Sequence, residues 1–203
     1  MYLFIVSSFL YLLLAYLLYS KNKYLTYMAL YGAFYFILAF FLSMWMDDIL
    51  LRVYYSLALF IDAIGIYIIS HIITGNKIFT GAMSFIFLIF GFLGSYMTFV
   101  SDIRIIMDTY FFKILVPEPL WSYTQYVIFY PGLIIIFFLV VIGLENMDSV
   151  EGRRVIPISI LALTFGLTLY YSVIDSLYAF IYFIANMLGA LIMVVWEVKE
   201  RYR

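Results

Sequence analysis

Charged residues divide this chain into long uncharged stretches. None occurs from Tyr2 to Ser20, from Tyr24 to Met46, from Ile78 to Ser101, from Pro119 to Leu144, from Val155 to Ile174 or from Ser176 to Trp196. A bilayer core is about 30 Å thick, so a spanning helix needs about 20 predominantly apolar residues. These stretches, with a further one that carries a single acid, predict seven spans at about 2–20, 24–44, 50–74, 79–100, 122–144, 155–174 and 176–196. The period-two alternation of an outer-membrane barrel is absent. The first stretch lacks a basic leader and a small-residue cleavage site, so it reads as a span and not as a removable signal.

One connection departs from the pattern. Between spans 4 and 5, "DIRIIMDTYFFKIL" mixes apolar residues with Asp108 and Lys113. It is too short and too charged to cross a bilayer. Its amphipathic character predicts a helix at about 103–115 lying on the outer membrane surface, ended by "VPEP". Pro131 in "FYPGL" is expected to kink span 5 or to start its regular part.

The basic residues set an orientation. With the N-terminus outside, the cytoplasmic side carries Lys21, Lys23, Lys77, Arg153, Arg154, Lys199, Arg201 and Arg203, and the outer side only Arg52, Arg104 and Lys113. Eight against three follows the positive-inside rule. Trp45, Trp121 and Trp196 fall at span ends, the level at which indole rings sit in the headgroups. The fold class predicted is an all-α integral membrane protein. It is a single seven-transmembrane-helix bundle over 1–203, N-terminus outside, C-terminus cytoplasmic, multi-pass in the cell membrane.

Composition sharpens this and narrows the chemistry. The chain is 67% hydrophobic and 11% charged, against roughly 25% charged in soluble domains. Too little charge exists to cover a water-facing surface, so the lipid bilayer is the expected partner. A net charge of −1 leaves no basic patch for nucleic acid. There is no cysteine and a single histidine, His71, which removes thiolate metal sites, disulfides and two-histidine zinc motifs. All five lysines lie outside the spans, so there is no Schiff-base lysine for a retinal pigment. An intramembrane aspartyl protease would need two buried aspartates, and only Asp62 is a candidate. The paired acids Asp47 and Asp48 in "MDDILLR" read as a solvated loop signal. No cofactor, no metal site and no enzymatic activity is expected. Abundant Ile, Tyr and Phe suggest a heat-tolerant prokaryotic source, on composition alone.

Asp62 is the chemically distinctive residue, an acid at the middle of "LALFIDAIGIYIIS". A charge at mid-membrane costs about 2.5–3.5 kcal/mol on insertion scales. It should therefore be neutral or face the bundle interior with a partner. Tyr55 shares its helix face. Asn186, at matching depth in span 7 with Tyr182 one turn before it, is the expected partner. Span 6 adds a stripe of Thr164, Thr168, Tyr171 and Asp175 rising to the outer surface. The functional reading is an outward-facing polar pocket lined by Asp62, Asn186, Tyr182, Tyr55, Thr168, Tyr171 and Asp175. The structural reading is a hydrogen-bonded cluster that fixes helix register.

Two functions are carried forward. The first is a receptor-like sensing or accessory module. In architecture alone it is similar to the seven-helix input modules of prokaryotic membrane sensors. Because no kinase or cyclase domain is encoded, a signal is expected to pass through a homo-oligomer or a partner membrane protein. The small-residue faces, Ser84, Gly91, Gly94 and Ser95 in span 4 or Ala185 and Gly189 in span 7, are the expected contacts. The second is a small proton- or cation-linked transporter that uses Asp62. The polar stripe reaches outward, while Ile66, Ile69 and Ile73 continue the face inward, which favours the first.

Overall fold

The computed structural model describes residues 2–21, 23–60, 64, 67, 76–148 and 150–201. Helices dominate: α1 (Tyr2–Leu18), α2 (Lys23–Trp45), α3 (Asp48–Ala58), α4 (Lys77–Val100), α5 (Glu118–Tyr123), α6 (Tyr130–Glu145), α7 (Val150–Ile174) and α8 (Ser176–Arg201). Among the described residues, five helical stretches are long and apolar enough to cross a membrane: Leu25–Trp45, Lys77–Val100, Glu118–Glu145, Ile156–Ile174 and Ser176–Glu200. The apolar helix Tyr2–Leu18 is shorter. The third predicted span is described as helix over Asp48–Ala58, and most of its remainder, including Asp62 and His71, lies outside the described residues.

Local chemistry explains where these helices start. Asp47 accepts a hydrogen bond from the Leu50 amide at 2.8 Å, Asn76 from Ile78 at 2.9 Å, and Asp175 from Leu177 at 2.9 Å. Each satisfies an amide that the first helical turn leaves without a partner. Asp47 is thus a helix cap. The turn before it is made by Met46, whose φ of 49° ends α2. Between α5 and α6 the chain widens into a π-helical turn, Thr124–Phe129, closed by the Tyr130 amide on the Gln125 carbonyl. Pro131 accounts for it: proline has no N–H to donate and its ring crowds the carbonyl four residues back, here Val127. Regular helix resumes at Tyr130, so Pro131 marks the start of the regular part.

The helices pack in sequence order as a ring: α1 on α2, α2 on α3, α3 on α4, α4 on α5 and the π turn, α6 on α7, and α7 on α8. Contact between α8 and α1 closes it. Close approach needs small residues. A Cβ on Gly32 would fall 2.6 Å from the Tyr11 ring, so α1 and α2 can only pack this closely with glycine there. The span 4 seam is likewise used inside the chain: Gly91 lies against Phe60, and Gly94 against Leu59 and Tyr123. Gly189 faces Leu161 of α7. Gly91 and Gly94 are thus buried by the chain's own side chains, while Gly189 is half-buried and Ala185 exposed.

The connection after α4 corrects the sequence reading. Residues 103–115 do not form an amphipathic helix. They form an antiparallel hairpin, β1 (Arg104–Met107) paired with β2 (Phe112–Leu115), in the register Arg104↔Leu115 to Met107↔Phe112. Phe112 and Ile114 point inward and are buried, while Lys113 and Leu115 are not, which is a period of two. Two four-residue runs rich in Ile and Phe are split by Asp108-Thr109, where the Asp108 carboxylate accepts from the Thr109 amide at 2.7 Å. That turn chemistry outcompetes one continuous helix. The hairpin closes one end of the ring. Phe111 and Phe112 pack on Phe4, and Phe111 also on Phe183. Ser176 donates to Asp108 at 2.7 Å, which ties the hairpin turn to the start of α8.

The start of α1 lies at this hairpin end. The last turns of α8 lie at the other end, beside the α1–α2 turn, where Lys21 meets Glu197. The first and last helices therefore leave from opposite ends of the bundle.

Candidate functional site

Two polar arrangements and one largely apolar cavity stand out among the described residues of this ring. The first centres on Asn186, which is fully buried in α8. Its Nδ2 donates to the Leu161 carbonyl at 2.8 Å and to Thr164 Oγ1 at 3.0 Å, and its Oδ1 accepts from the Tyr11 hydroxyl at 3.0 Å. Thr164 also donates to the Ile160 carbonyl at 2.9 Å. One amide thus ties α8 to α7 and α1, with both of its donors used. Sequence reading identified Asn186 and Thr164 but expected Asp62 as the partner. Asp62 lies outside the described residues. Tyr11, 175 residues away in the chain, was missed, because one tyrosine among many carries no local mark.

The second arrangement is a charged clamp at the end opposite the hairpin. Glu197 of α8 is fully buried and receives Arg154 Nε at 2.6 Å and Lys21 Nζ at 2.8 Å. Arg154 is also buried, with its guanidinium 5.9 Å from the Trp196 ring. The sequence counts Lys21 and Arg154 as loop charges and Glu197 as part of a basic tail. Only packing shows that they bind one another.

The third is a cavity of about 100 Å³ lined by α3, the π turn, α6 and α7. Its walls are apolar for most of their length, with Leu59, Ile128, Leu133 and Leu169 among the lining side chains. The hydroxyl-bearing side chains of Tyr55, Thr124, Tyr170 and Ser172 and the indole of Trp121 are among the lining residues. Tyr55 donates to Thr124 Oγ1 at 3.0 Å, Thr124 to the Leu120 carbonyl at 2.9 Å, and Ser172 to the Leu169 carbonyl at 2.6 Å. No charged side chain lines it among the described residues. The α7 wall includes Gly166, and a Cβ built there meets no atom within 4 Å.

The remaining predicted residues are spread among these arrangements. Tyr171 and Tyr182 stack, with ring centroids 5.3 Å apart, and Tyr178 packs on Tyr171. Thr168 turns back to donate to the Thr164 carbonyl at 2.8 Å. Asp175 caps α8. Of the predicted set, Tyr55 reaches the cavity, Asn186 forms the interhelical knot, and Tyr171 and Tyr182 form an aromatic pair.

Titratable groups at the hairpin end are held by their neighbours. The Ser176 hydroxyl and the Thr109 amide keep the Asp108 carboxyl below the usual carboxylate range. Arg104 does the same for Asp102. Among the described residues no cluster of three or more His, Cys, Asp or Glu side chains is placed to hold a metal ion.

Comparison with protein-family models, with curated proteins and with solved structures finds no match to this chain.

Proposed function

We propose that this chain is a multi-pass membrane protein of seven spans, with its N-terminus outside and its C-terminus in the cytoplasm. On this reading it works as a receptor-like sensing or accessory module whose binding element is the cavity among α3, α6 and α7. One observation carries the reading: a single helix, α7, touches the cavity and both polar arrangements. It presents Gly166 and Ser172 to the cavity, Leu161 and Thr164 to Asn186, and Arg154 to Glu197. From Arg154 to Ser172 it rises about 27 Å at 1.5 Å per residue. A ligand that shifts α7 thereby acts on the clamp at the cytoplasmic end, where a partner chain can read it. Membrane placement is supported by the five long apolar helices and by the eight-to-three distribution of basic residues.

Two measurements test this. A reporter fused after Arg203 is expected in the cytoplasm, and one inserted at the hairpin turn outside. The reverse result would sink the topology. Hydrogen exchange on the purified protein, with and without a lipid extract of its native membrane, should show protection both along the cavity wall and at Arg154 and Glu197. Protection at neither, with every extract fraction, would sink the binding role.

A further inference from the structure

We infer that the cavity takes a compact, uncharged hydrocarbon no larger than a single ring of the size of benzene. This rests on the binding role proposed for the cavity and names its ligand class.

Volume sets the size. The cavity holds about 100 Å³, and a second, of about 50 Å³, lies among α1, α2 and α7. Met28 and Ala162 line both. An apolar cavity of about 150 Å³ stays dry and binds benzene or xenon. The larger cavity by itself suits a guest of the size of xenon and is slightly short for a ring. The space across Met28 supplies the difference, because methionine is unbranched and adapts its shape. Neither a fused second ring nor an extended chain fits.

Gly166 ties the space to the sequence. An added Cβ at Gly32, Gly91, Gly94 or Gly189 would meet a side chain at 2.6–2.9 Å, so close packing accounts for those glycines. At Gly166 it would meet no atom within 4 Å, and the residue lines the cavity. Glycine destabilises a helix interior relative to alanine. No neighbour requires it at this position, whereas an open cavity does.

The polar groups of the lining make no demand for a polar guest. Tyr55 donates to Thr124, Thr124 to the Leu120 carbonyl and Ser172 to the Leu169 carbonyl, and the Tyr170 hydroxyl accepts from Gln125 at 3.2 Å. The Trp121 indole is half-buried, and its N–H is not among the buried polar atoms left without a partner. A guest with no polar atom therefore strands none of these groups. An ionised guest would be buried with no charged side chain opposite it among the described lining residues. The remaining wall, with Leu59, Ile128, Phe129 and Leu133, is hydrocarbon, and a small hydrocarbon reaches it by dissolving in the bilayer.

The test uses the full chain in nanodiscs, with protein-free nanodiscs as the blank, and follows fluorobenzene by fluorine NMR. A saturable component is expected, absent from the blank and displaced by benzene. Naphthalene and hexadecane should displace it about tenfold less well at equal membrane concentration, a factor equal to about 1.4 kcal/mol. Gly166→Leu should abolish the saturable component without lowering the melting temperature. Met28→Ile, branched at Cβ and stiffer, should weaken fluorobenzene about tenfold while leaving xenon binding unchanged, which also shows that the variant folds. Equal displacement by naphthalene or hexadecane would overturn the size limit and leave the cavity as a binding site. A saturable component that survives Gly166→Leu would overturn the assignment to this cavity. No saturable component at any concentration would overturn the binding role as well. Saturable binding without added protection at Arg154 and Glu197 in hydrogen exchange would support the ligand class and overturn the sensing reading alone.

Discussion

The Asn186 knot and the Tyr55–Thr124 wall place similar polar groups in an apolar bundle, yet one ties three helices together and the other borders a cavity. At Asn186 both amide donors are used, an acceptor is matched, and the site is closed on three helices. Such a network specifies which faces of α1, α7 and α8 meet. At Tyr55 the hydroxyl donates to Thr124 in the wall of a cavity whose α7 side includes Gly166. A polar group in an apolar bundle acts as glue when its bonding is complete and its surroundings are filled. Where its bonding is complete but space is left beside it, it becomes cavity wall.

The clamp at Glu197 extends the comparison to charge and has the largest expected effect. Glu197→Ala leaves two cations without their shared carboxylate, a loss of about 3–5 kcal/mol for a buried pair broken from one side. Thermal melting in detergent checks this. A loss comparable to that of an exposed pair would mean the clamp is solvated. Asn186→Leu comes next. It leaves the Tyr11 hydroxyl without a partner, while Thr164 keeps its bond to the Ile160 carbonyl, and an unsatisfied buried group costs about 1–3 kcal/mol. If Asn186→Leu melted with wild type while Tyr55→Phe did not, the distinction between the two sites would be reversed.

Tyr55→Phe should cost less, about 0.5–1.5 kcal/mol for one hydrogen bond, because Thr124 keeps its bond to Leu120. The smallest effect concerns the hairpin. The Asp108 carboxyl is held below its ordinary range by the Ser176 hydroxyl. A lowered folded-state pKa means that its contribution is full above the unfolded carboxylate value and is lost as pH falls through the lowered one. The protection factors of the hairpin amides, exchange rates taken relative to the intrinsic rate at each pH, should therefore fall in acid. Asp108→Asn should remove that dependence without affecting protection near Asn186. An acid-dependent fall in protection in the variant would assign the effect to another group.

Hydrophobic patterning determined a great deal by itself. The helical stretches and their approximate bounds follow from local composition, because any segment of about 20 apolar residues must satisfy its backbone internally. Proline at 131 marks its own position for the same local reason, whereas Asp47, read from sequence as a loop charge, and Asp175, read as a pocket residue, prove to be helix caps. The sequence also singled out Asn186 and Thr164, since polar groups are conspicuous in apolar runs. It could not give Asn186 its partner Tyr11, nor gather Lys21, Arg154 and Glu197, because those pairings join residues far apart in the chain. Only the closure of α8 on α1 decides them. The hairpin shows the limit at short range. "RIIMDTYFFKIL" is compatible with a helical period or with a period of two, and contact with Phe4 and Phe183 at the end of the ring buries the latter. The cavity is the most tertiary feature of all. It exists because a glycine, a π turn and a tyrosine from three separate segments face one another, and no local property of any of them encodes that space.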